Sequence, residues 1–455
     1  MKNKSLSSAR LLIGFIVSIF FFSWIFSITS CNNTKHDELK ASKDSITKHL
    51  LNWNIFFGTT TQEASRTDIR KSIEDSVRAY ASRKYPTETA RFNWSSCPCD
   101  TLLTNLDATL VGPSGDAVVA PPTQPQPGAS GDYIVRENMS IEIPEASREH
   151  QLDSTKKIFL RGLSANGQVI PDGHVIALID TGLDTSVFQP SIRNLLWRET
   201  SGPTLFDFLK PNGLGNLSDD NKVKHGTAAT ALAMQELKNP PKPKIMALKA
   251  FDKNGKGTIY SVSCALSYAI KNRVSVINAS WGYYGEPDSV LHYYLKRADS
   301  LSIPIIAAAG NSPEPHQPEP ICNNNLNEQN KLRDAHMFYP ACFSTTFPNL
   351  ISVTGLSENS STHQFVPCYY QNYSGNFVSI GVLNKTNCCA YNLSFLPGAI
   401  EGTSFATPVV SGQYLLKLQT LAPATRTAGN VVDMFSNKKP GFMDTHNGTY
   451  IEYAH

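Results

Sequence analysis

Five short apolar runs, each rich in valine and isoleucine, constrain the fold of this chain more than any other feature. They lie at residues 175–179, 245–248, 274–277, 303–309 and 350–353. Their residues are apolar at consecutive positions and not at alternating ones, which is typical of strands buried on both faces. Such strands belong to parallel sheets that are covered by helices on both sides. The sequence therefore predicts an α/β fold.

Two segments between these runs have the apolar spacing of helices. They lie at residues 258–272 and 288–298. Alternation of buried strands and helices predicts a mostly parallel central sheet in a three-layer arrangement. In sheets of this kind, ligands bind outside the carboxyl ends of the strands. We therefore expect the functional side chains to follow the apolar runs directly.

The first thirty residues have the pattern of an export signal. Basic residues precede an uncharged apolar run over 11–28, and small residues then lead to Cys31. The ending resembles that of bacterial lipoprotein signals, which predicts a signal peptide at 1–30 and lipidation of Cys31 as the first mature residue. An uncleaved membrane anchor and ordinary secretion are the alternatives. All three interpretations place the mature protein outside the cytoplasm, in the cell envelope or beyond it.

The remaining chain divides into a small N-terminal module, a linker and a large domain. The module spans 32–112, and a predicted helix within it has Ile69, Ile73, Val77 and Tyr80 on one face. We expect this module to be α+β. Proline and glycine are frequent over 113–132, which indicates an extended linker. The large α/β domain is expected to span 133–455.

Charge gives no indication of a nucleic-acid partner. The formal net charge is +3 over 455 residues, and 17% of the residues are charged. The sequence contains no basic cluster with interleaved aromatic residues, which nucleic-acid-binding proteins commonly show. We therefore expect no nucleic-acid binding.

Nine cysteines occur, and eight remain if Cys31 carries a lipid. An even number in an exported protein predicts disulfides, whereas zinc is a weaker alternative because no matched histidine spacing accompanies these cysteines. Cys264 lies on the apolar face of a predicted helix and is expected to be a buried free thiol. The cysteines expected to form disulfides with one another are Cys322, Cys342, Cys368, Cys388 and Cys389.

Four polar residues occur within short, distinctive sequence motifs near the ends of predicted strands or at the starts of predicted helices. Asp180 follows the run 175–179, His225 begins an alanine-rich segment, Asn311 follows the run 303–309, and Ser404 begins an apolar helix. Singly, each residue is compatible with a structural role in a turn or a helix cap. Together they have the order Asp, His, Ser that characterises the subtilisin triad.

Two other hydrolase patterns fit less well. The α/β-hydrolases have the serine first and a second glycine after it, where this chain has Ala406. Asp180-Thr181-Gly182 is also the signature of aspartic proteases. Those enzymes need a second carboxylate, and no second Asp-Thr-Gly or Asp-Ser-Gly occurs here.

Five sequence blocks resemble those of the subtilases, the subtilisin-like serine proteases. They are VIALIDTGLD at 175–184, HGTAATALA at 225–233, VINASWG at 276–282, IIAAAGN at 305–311 and GTSFATPVVSG at 402–412. The resemblance extends over about residues 150–455 and implies the three-layer subtilisin-like fold. It also makes 133–455 the expected peptidase domain.

The resemblance implies specific roles for the four polar residues. Ser404 would be the nucleophile, His225 the general base, and Asp180 the residue that orients the imidazole. The amide of Asn311 and the main-chain N–H of Ser404 would stabilise the oxyanion. Ser280, Trp281 and Gly282 would pair with the substrate backbone by strand addition.

Three small residues would form the wall of the pocket for the residue before the cut. These are Ala308, Ala309 and Gly310, and they predict room for a sizeable apolar side chain. The expected substrates are therefore proteins or peptides, cleaved by a serine endopeptidase through an acyl-enzyme. A dedicated processing protease for one exported precursor and a non-catalytic binding protein are the alternatives.

Neither a metal nor a cofactor is expected. The calcium loop of secreted subtilases should follow the histidine helix, but the residues there, 238–244, include no carboxylate. Asp219 and Asp220 are expected to lie in a solvated loop. The module 32–112 has the size and position of a subtilase propeptide, although a retained tethering module is also compatible with its Cys-Pro-Cys sequence.

Overall fold

The structure is a computed structural model. It describes residues 46–59, 61–112, 133–143, 156–159, 171–189, 192–200, 204, 206–237, 242–311, 330–333, 336–359, 362–384, 389–396, 398–420, 435, 437–439 and 444–453. The expected signal segment 1–30, Cys31 and the linker 113–132 lie outside these residues. Within the described ranges, no helix is both long enough and apolar enough to cross a membrane.

Twenty strands and five α-helices occur in the described residues. The strands are β1 Ile46–Phe57, β2 Thr89–Cys97, β3 Asp100–Gly112, β4 Tyr133–Glu137, β5 Ser140–Glu142, β6 Ile158–Phe159, β7 Pro171–Asp180, β8 Phe188–Gln189, β9 Lys242–Lys249, β10 Lys256–Thr258, β11 Val276–Ala279, β12 Tyr283–Tyr284, β13 Ile305–Ala308, β14 Phe338–Tyr339, β15 Leu350–Glu358, β16 Phe365–Pro367, β17 Ile380–Asn384, β18 Ala390–Tyr391, β19 Ile400–Glu401 and β20 Tyr450–Tyr453. The helices are α1 Glu63–Lys84, α2 His225–Glu236, α3 Ile259–Lys271, α4 Ser289–Ser300 and α5 Thr403–Thr420.

The predicted parallel sheet is confirmed as the centre of the large domain. Its strand order is β20-β17-β15-β13-β11-β7-β9, and every neighbouring pair along this path is parallel. The eighth strand, β16, pairs antiparallel with β15. Each of the five apolar runs contributes residues to one of these strands, as expected for strands buried on both faces.

Helices cover both faces of this sheet, which confirms the α/β fold. In β7, Ala177 and Ile179 pack in the same apolar cluster as residues of α3 and α4. The alternate residues Ile176 and Leu178 belong to a second cluster with residues of α2 and α5. Side chains of a strand alternate between the two faces of its sheet, so the two clusters are the two layers on either side.

The N-terminal module forms a four-stranded antiparallel sheet of order β2-β3-β1-β4. Helix α1 packs on it through the predicted face, and Ile73 and Val77 are fully buried. Strand β4 pairs with β1 although it follows the segment 113–132 in the chain. The sheet of the module thus includes residues on both sides of the expected linker.

The module rests on helices α3 and α4 of the large domain. The rings of Phe56 and Tyr293 lie 4.5 Å apart. The buried carboxylate of Asp100 accepts hydrogen bonds from the hydroxyls of Ser267 (3.1 Å) and Tyr294 (3.0 Å). These contacts combine apolar packing with a satisfied buried charge, which orients the module on the two helices.

The cysteines differ in part from the expected pattern. Cys368 and Cys389 form a disulfide, with their Cα atoms 5.9 Å apart, and Cys264 is a buried free thiol. Cys342, which was expected to bridge, is instead a buried free thiol that accepts a hydrogen bond from the Phe338 amide at 3.3 Å. It lies in a turn packed among aromatic rings, so its sulfur acts there as a small apolar group. Cys322 and Cys388 lie outside the described residues.

Candidate functional site

Asp180 and His225 meet at the carboxyl edge of the sheet. Asp180 is the last residue of β7 and His225 is the first of α2, and both are almost fully buried. The Nδ1 atom of His225 lies 2.8 Å from Oδ1 of Asp180. The same oxygen accepts a hydrogen bond from the amide of Thr181 at 2.7 Å. One oxygen of the carboxylate therefore makes both contacts, whereas Oδ2 is buried and has no hydrogen-bond partner among the described residues.

Ser404 lies at the start of α5, beside this pair. The aromatic ring of the next residue, Phe405, packs on the imidazole of His225 with ring centroids 4.8 Å apart. Neither Nε2 of His225 nor Oγ of Ser404 has a hydrogen-bond partner within the described part of the chain, and both atoms are buried. Buried polar atoms are usually hydrogen-bonded, so these two, on residues predicted to be catalytic, need an explanation.

Asn311 is oriented by the residue that precedes Ser404. Its Oδ1 accepts hydrogen bonds from the main-chain N–H (3.0 Å) and the hydroxyl (3.2 Å) of Thr403. With the oxygen held by α5, the amide nitrogen is directed towards Gly402. Gly402 has a φ of +130°, and a Cβ there would lie 2.9 Å from the Asn311 Nδ2. Only glycine fits this approach.

Thr403 is a further residue of the site that was not predicted from the sequence. Its hydroxyl donates to Asn311 and also accepts from the amide of Gly310 at 3.0 Å. It therefore joins the end of β13 to the start of α5. Its position in the sequence Gly-Thr-Ser could have indicated this role, because a hydroxyl at the start of a helix commonly hydrogen-bonds to nearby main-chain groups.

The three residues expected to pair with the substrate, Ser280, Trp281 and Gly282, are all buried. Ser280 is buried, and its hydroxyl donates to the Ser404 carbonyl at 2.8 Å. Trp281 is also buried, with its ring 6.0 Å from that of Phe251. The main chain of Gly282 pairs with that of Glu142. The side chains of the first two residues thus shape the site from behind.

A three-residue strand, β5, occupies the place beside Gly282. It pairs antiparallel with β10, with Glu142 opposite Lys256. Glu142 also forms an isolated antiparallel bridge with Gly282, and the amide of Ile143 donates to the carbonyl of Gly255 at 2.9 Å. The segment 140–143 therefore adds a strand between two edges of the large domain. The side chain of Ile141 is fully buried there.

The ring of Phe338 fills the space between Gly282 and Gly310. Its atoms lie 2.3 Å from the position that a Cβ would take at Gly282, and 2.8 Å from the corresponding position at Gly310. Ala308 and Ala309 are fully buried. The small residues were expected to leave room for a sizeable side chain of the substrate. In the structure an aromatic ring of the chain itself lies against two of the glycines, Gly282 and Gly310.

Asp219 corrects the prediction of a solvated loop. Its side chain is fully buried and accepts hydrogen bonds from the hydroxyl of Thr181 (2.8 Å) and from the amide (2.9 Å) and hydroxyl (2.7 Å) of Thr227. Burial raises the pKa of this carboxyl group. Thr181 follows Asp180 and Thr227 belongs to the first turn of α2. Asp219 therefore connects the segments that carry Asp180 and His225.

Asp220 is half exposed and pairs with the buried ammonium group of Lys249. Its hydrogen bond to this group lowers the pKa of the Asp220 carboxyl. Lys249 also donates to the carbonyl of Thr181 at 2.9 Å. The loop is thus tied to the end of β7 by both of its carboxylates.

No metal ligand set is found within the described residues. They include no group of three or more histidine, cysteine, aspartate or glutamate side chains that is arranged to hold an ion. The segment 238–244 is where a calcium loop would follow the histidine helix, and its residues 238–241 lie outside the described ranges.

Comparison with known proteins identifies the family of the chain. A sequence model of the subtilase family matches residues 171–429. The thermostable alkaline protease of Halalkalibacterium halodurans is 27% identical over 266 residues, which are 57% of this chain and 59% of that protein. Thermitase of Thermoactinomyces vulgaris is 26% identical over 285 residues, or 61% of this chain and 84% of thermitase. The chain therefore spans less than two thirds of the length of the alkaline protease.

The fold is shared with a solved structure. Fervidolysin from Fervidobacterium pennivorans, a keratinolytic enzyme related to subtilisin, aligns with a TM-score of 0.53 at 17% identity, covering 89% of this chain and 60% of that one. Likeness at this identity shows the fold alone. The matched family model, however, covers more than half of the sequence, and it includes the strands and helices that hold Asp180, His225, Asn311 and Ser404. The chain belongs to the subtilase family.

Proposed function

We propose that this chain is a serine endopeptidase that cleaves proteins or peptides through an acyl-enzyme. The observation that carries the proposal is the 2.8 Å contact of Asp180 with His225 Nδ1, beside the unpaired atoms His225 Nε2 and Ser404 Oγ. Ser404 attacks the scissile carbonyl while His225 takes its proton. The imidazolium then returns the proton to the leaving amine, and water repeats the sequence to release the acyl group.

Asn311 stabilises the negative charge that develops on the carbonyl oxygen. Because Thr403 holds Oδ1, the Nδ2 of Asn311 is the group that faces the start of α5. The main-chain N–H of Ser404 is the second donor in this proposal. The N-terminus of α5 adds a partial positive charge at the same place.

The N-terminal module acts as an inhibitory propeptide in this proposal, and the protein is latent. The support is strand β5, which follows the module and adds to both β10 and Gly282. A substrate that binds by strand addition would need the same main-chain groups. Strand β5 therefore has to leave before a substrate enters. This favours the propeptide over a module that serves only as a tether.

The specificity of the enzyme is narrow at the residue before the cut. Phe338 supports this, since its ring lies against both Gly282 and Gly310. Substrates with a small residue at that position fit beside the ring, and large side chains are excluded. This observation favours the second candidate function, a dedicated protease for one exported precursor, over broad digestion. Export completes the proposal, and lipidation of Cys31 anchors the protein until the N-terminal module is cut off.

Labelling with a fluorophosphonate probe tests the proposed nucleophile. The purified chain is incubated until its N-terminus is constant, the N-terminus is sequenced, and the probe is added. We expect labelling of the matured protein and none of Ser404→Ala. Ser411→Ala, a change of another serine in α5, should retain labelling. Labelling that persists in Ser404→Ala would show a different nucleophile, and a mature N-terminus at Cys31 would contradict the propeptide.

A further inference from the structure

Three cysteine side chains converge where the N-terminal module meets the large domain. Cys97 ends β2, Cys99 lies in the turn to β3, and Cys264 projects from α3. The sulfurs of Cys97 and Cys99 are 3.8 Å apart, and the thiol of Cys99 donates to the main-chain oxygen of Cys264 at 3.6 Å. Cys97 and Cys264 are buried in the same apolar cluster. All three cysteines are free thiols in the structure.

Their surroundings favour an uncharged product. Cys97 and Cys264 are 3% and 1% exposed, whereas Cys99 is half-buried. Burial raises the pKa of the Cys97 and Cys264 thiols, so the thiolates that a metal requires are disfavoured there. The described residues also supply no arranged ligand set at this place. A disulfide, by contrast, carries no charge and suits a buried, apolar contact.

We propose that Cys97 and Cys264 form a disulfide that fastens the N-terminal module to the large domain, and that Cys99 is the entry point for its formation. Cys97 and Cys264 are chosen because both are buried in one apolar cluster and come from the two parts of the protein, whereas the thiol of Cys99 is used in a hydrogen bond to the main-chain oxygen of Cys264. Cys99 is the most accessible of the three. An external disulfide therefore meets it first.

The exchange is balanced with a small disulfide as the oxidant. The hydrogen bond with Cys97, together with burial, raises the pKa of the Cys99 thiol, so the first step is slow. Once deprotonated, Cys99 attacks the external disulfide, which forms a mixed disulfide and releases one thiol. Cys264 then attacks the sulfur of Cys99 and releases the second thiol. Finally, Cys97 attacks the sulfur of Cys264 and Cys99 leaves as a thiol. The net change is the loss of two protons and two electrons from Cys97 and Cys264 to the oxidant, which becomes two thiols.

The bond has a consequence for activation. If the chain is cut between the module and the large domain, the oxidised form keeps the module attached, and the reduced form holds it only by non-covalent contacts. This consequence rests on the proposed function, whereas the disulfide itself does not. The test below therefore uses the inactive Ser404→Ala chain, so that the bond is measured whether or not the protein is a protease.

The experiment detects the disulfide because it keeps the N-terminal module covalently attached to the large domain after the chain is cut. The full chain carries Ser404→Ala, Cys31→Ser and a recognition site for a sequence-specific protease within 113–132. It is equilibrated with oxidised glutathione, cut at that site, and run on denaturing gels with and without reductant. We expect one band without reductant and two with it. The variants Cys97→Ser and Cys264→Ser should give two bands in both gels.

Two further variants sharpen the result. Cys342→Ser changes another buried free thiol and should leave retention unchanged. Cys99→Ser should retain the module but form the bond more slowly. Peptide mapping of the uncut, oxidised chain by mass spectrometry should identify linked Cys97 and Cys264 peptides, which does not depend on any cysteine variant folding. Two bands without reductant and alkylation of both cysteines in the map would overturn the proposal, as would retention in Cys264→Ser.

Discussion

Glu142 and Gly282 exchange both of their main-chain hydrogen bonds. The amide of Glu142 donates to the Gly282 carbonyl at 3.4 Å, and the amide of Gly282 donates to the Glu142 carbonyl at 3.3 Å. This mutual exchange is the hydrogen-bonded pair of an antiparallel ladder. The main chain of Gly282 is therefore already satisfied by a residue of the same chain.

Displacement of β5 should expose the main-chain groups of Gly282 to solvent. Ile141→Asp places a charge in a fully buried apolar position, which costs several kcal/mol and should drive the strand out. In the Ser404→Ala background, we expect faster hydrogen exchange at the amides of Ile143 and Gly282. Ser140→Asp changes the exposed preceding residue and serves as the control. Equal exchange in the two variants would show that Ile141 does not hold the strand.

Removal of the Asn311 amide should slow catalysis without weakening binding. We expect Asn311→Ala to lower kcat about 100- to 1000-fold, because an oxyanion donor acts mainly in the transition state. KM should change little. Steady-state kinetics of the matured enzyme on a peptide substrate measures both constants. Thr403→Ser retains the hydroxyl that holds Asn311 and should stay near wild type. A rise in KM with kcat unchanged would argue against the oxyanion role.

Shortening Phe338 should widen the range of substrates. Phe338→Ala should raise kcat/KM for peptides with leucine or phenylalanine before the cut, relative to alanine, by about 10- to 200-fold. The same change should lower the free energy of unfolding by about 3–5 kcal/mol, because the ring is buried.

The control for this prediction is Phe343→Ala. Phe343 is buried in the same cluster but is not among the atoms nearest to Gly282 or Gly310. It should destabilise the protein comparably and leave the substrate preference unchanged. If both variants shift the preference equally, the effect comes from general loosening and not from the ring of Phe338.

Asp219 should matter for catalysis although its hydrogen bonds within the described residues go to the segments around Asp180 and His225 and not to Ser404. Asp219→Asn replaces an acceptor by an N–H₂ group, which then faces either a hydroxyl or the donating amide of Thr227. A buried polar group that has no hydrogen-bond partner, or a donor that faces another donor, lowers the free energy of unfolding by about 1–3 kcal/mol. We expect lower stability and a lower kcat, measured by chemical denaturation and kinetics.

The neighbouring carboxylate is the matched comparison. Asp220→Asn removes the charge of a half-exposed carboxylate that pairs with the buried ammonium group of Lys249. Lys249 retains its main-chain acceptor on Thr181. A catalytic loss of the same size in both variants would mean that the loop as a whole, and not Asp219, positions the site.

The sequence predicted the parts of the protein that have a local or repeated signal. The central strands follow from runs of consecutive apolar residues. Asp180, His225, Asn311 and Ser404 were expected at one edge because each follows or begins a regular element. Their contexts are short but their order is specific, and this is why four separately weak observations were informative together.

The parts that were not predicted depend on contacts between distant segments. Strand β5 has only three residues and no periodicity to detect. The ring of Phe338 lies against Gly282 and Gly310, but nothing in the sequence around these glycines indicates which residue packs there. Asp219 appeared to be solvated because its partners, Thr181 and Thr227, come from two other elements.

The attachment of β5 to the same chain determines how activity would begin. A tethered segment competes at an effective concentration in the millimolar range for short flexible connections, whatever the concentration of the protein. Most substrates, with KM values of about 1 μM to 1 mM, would not displace it. Onset of activity would then follow first-order kinetics, independent of enzyme concentration when the cut is made within one molecule. The substrate concentration would determine the rate of cleavage only after β5 has left the site.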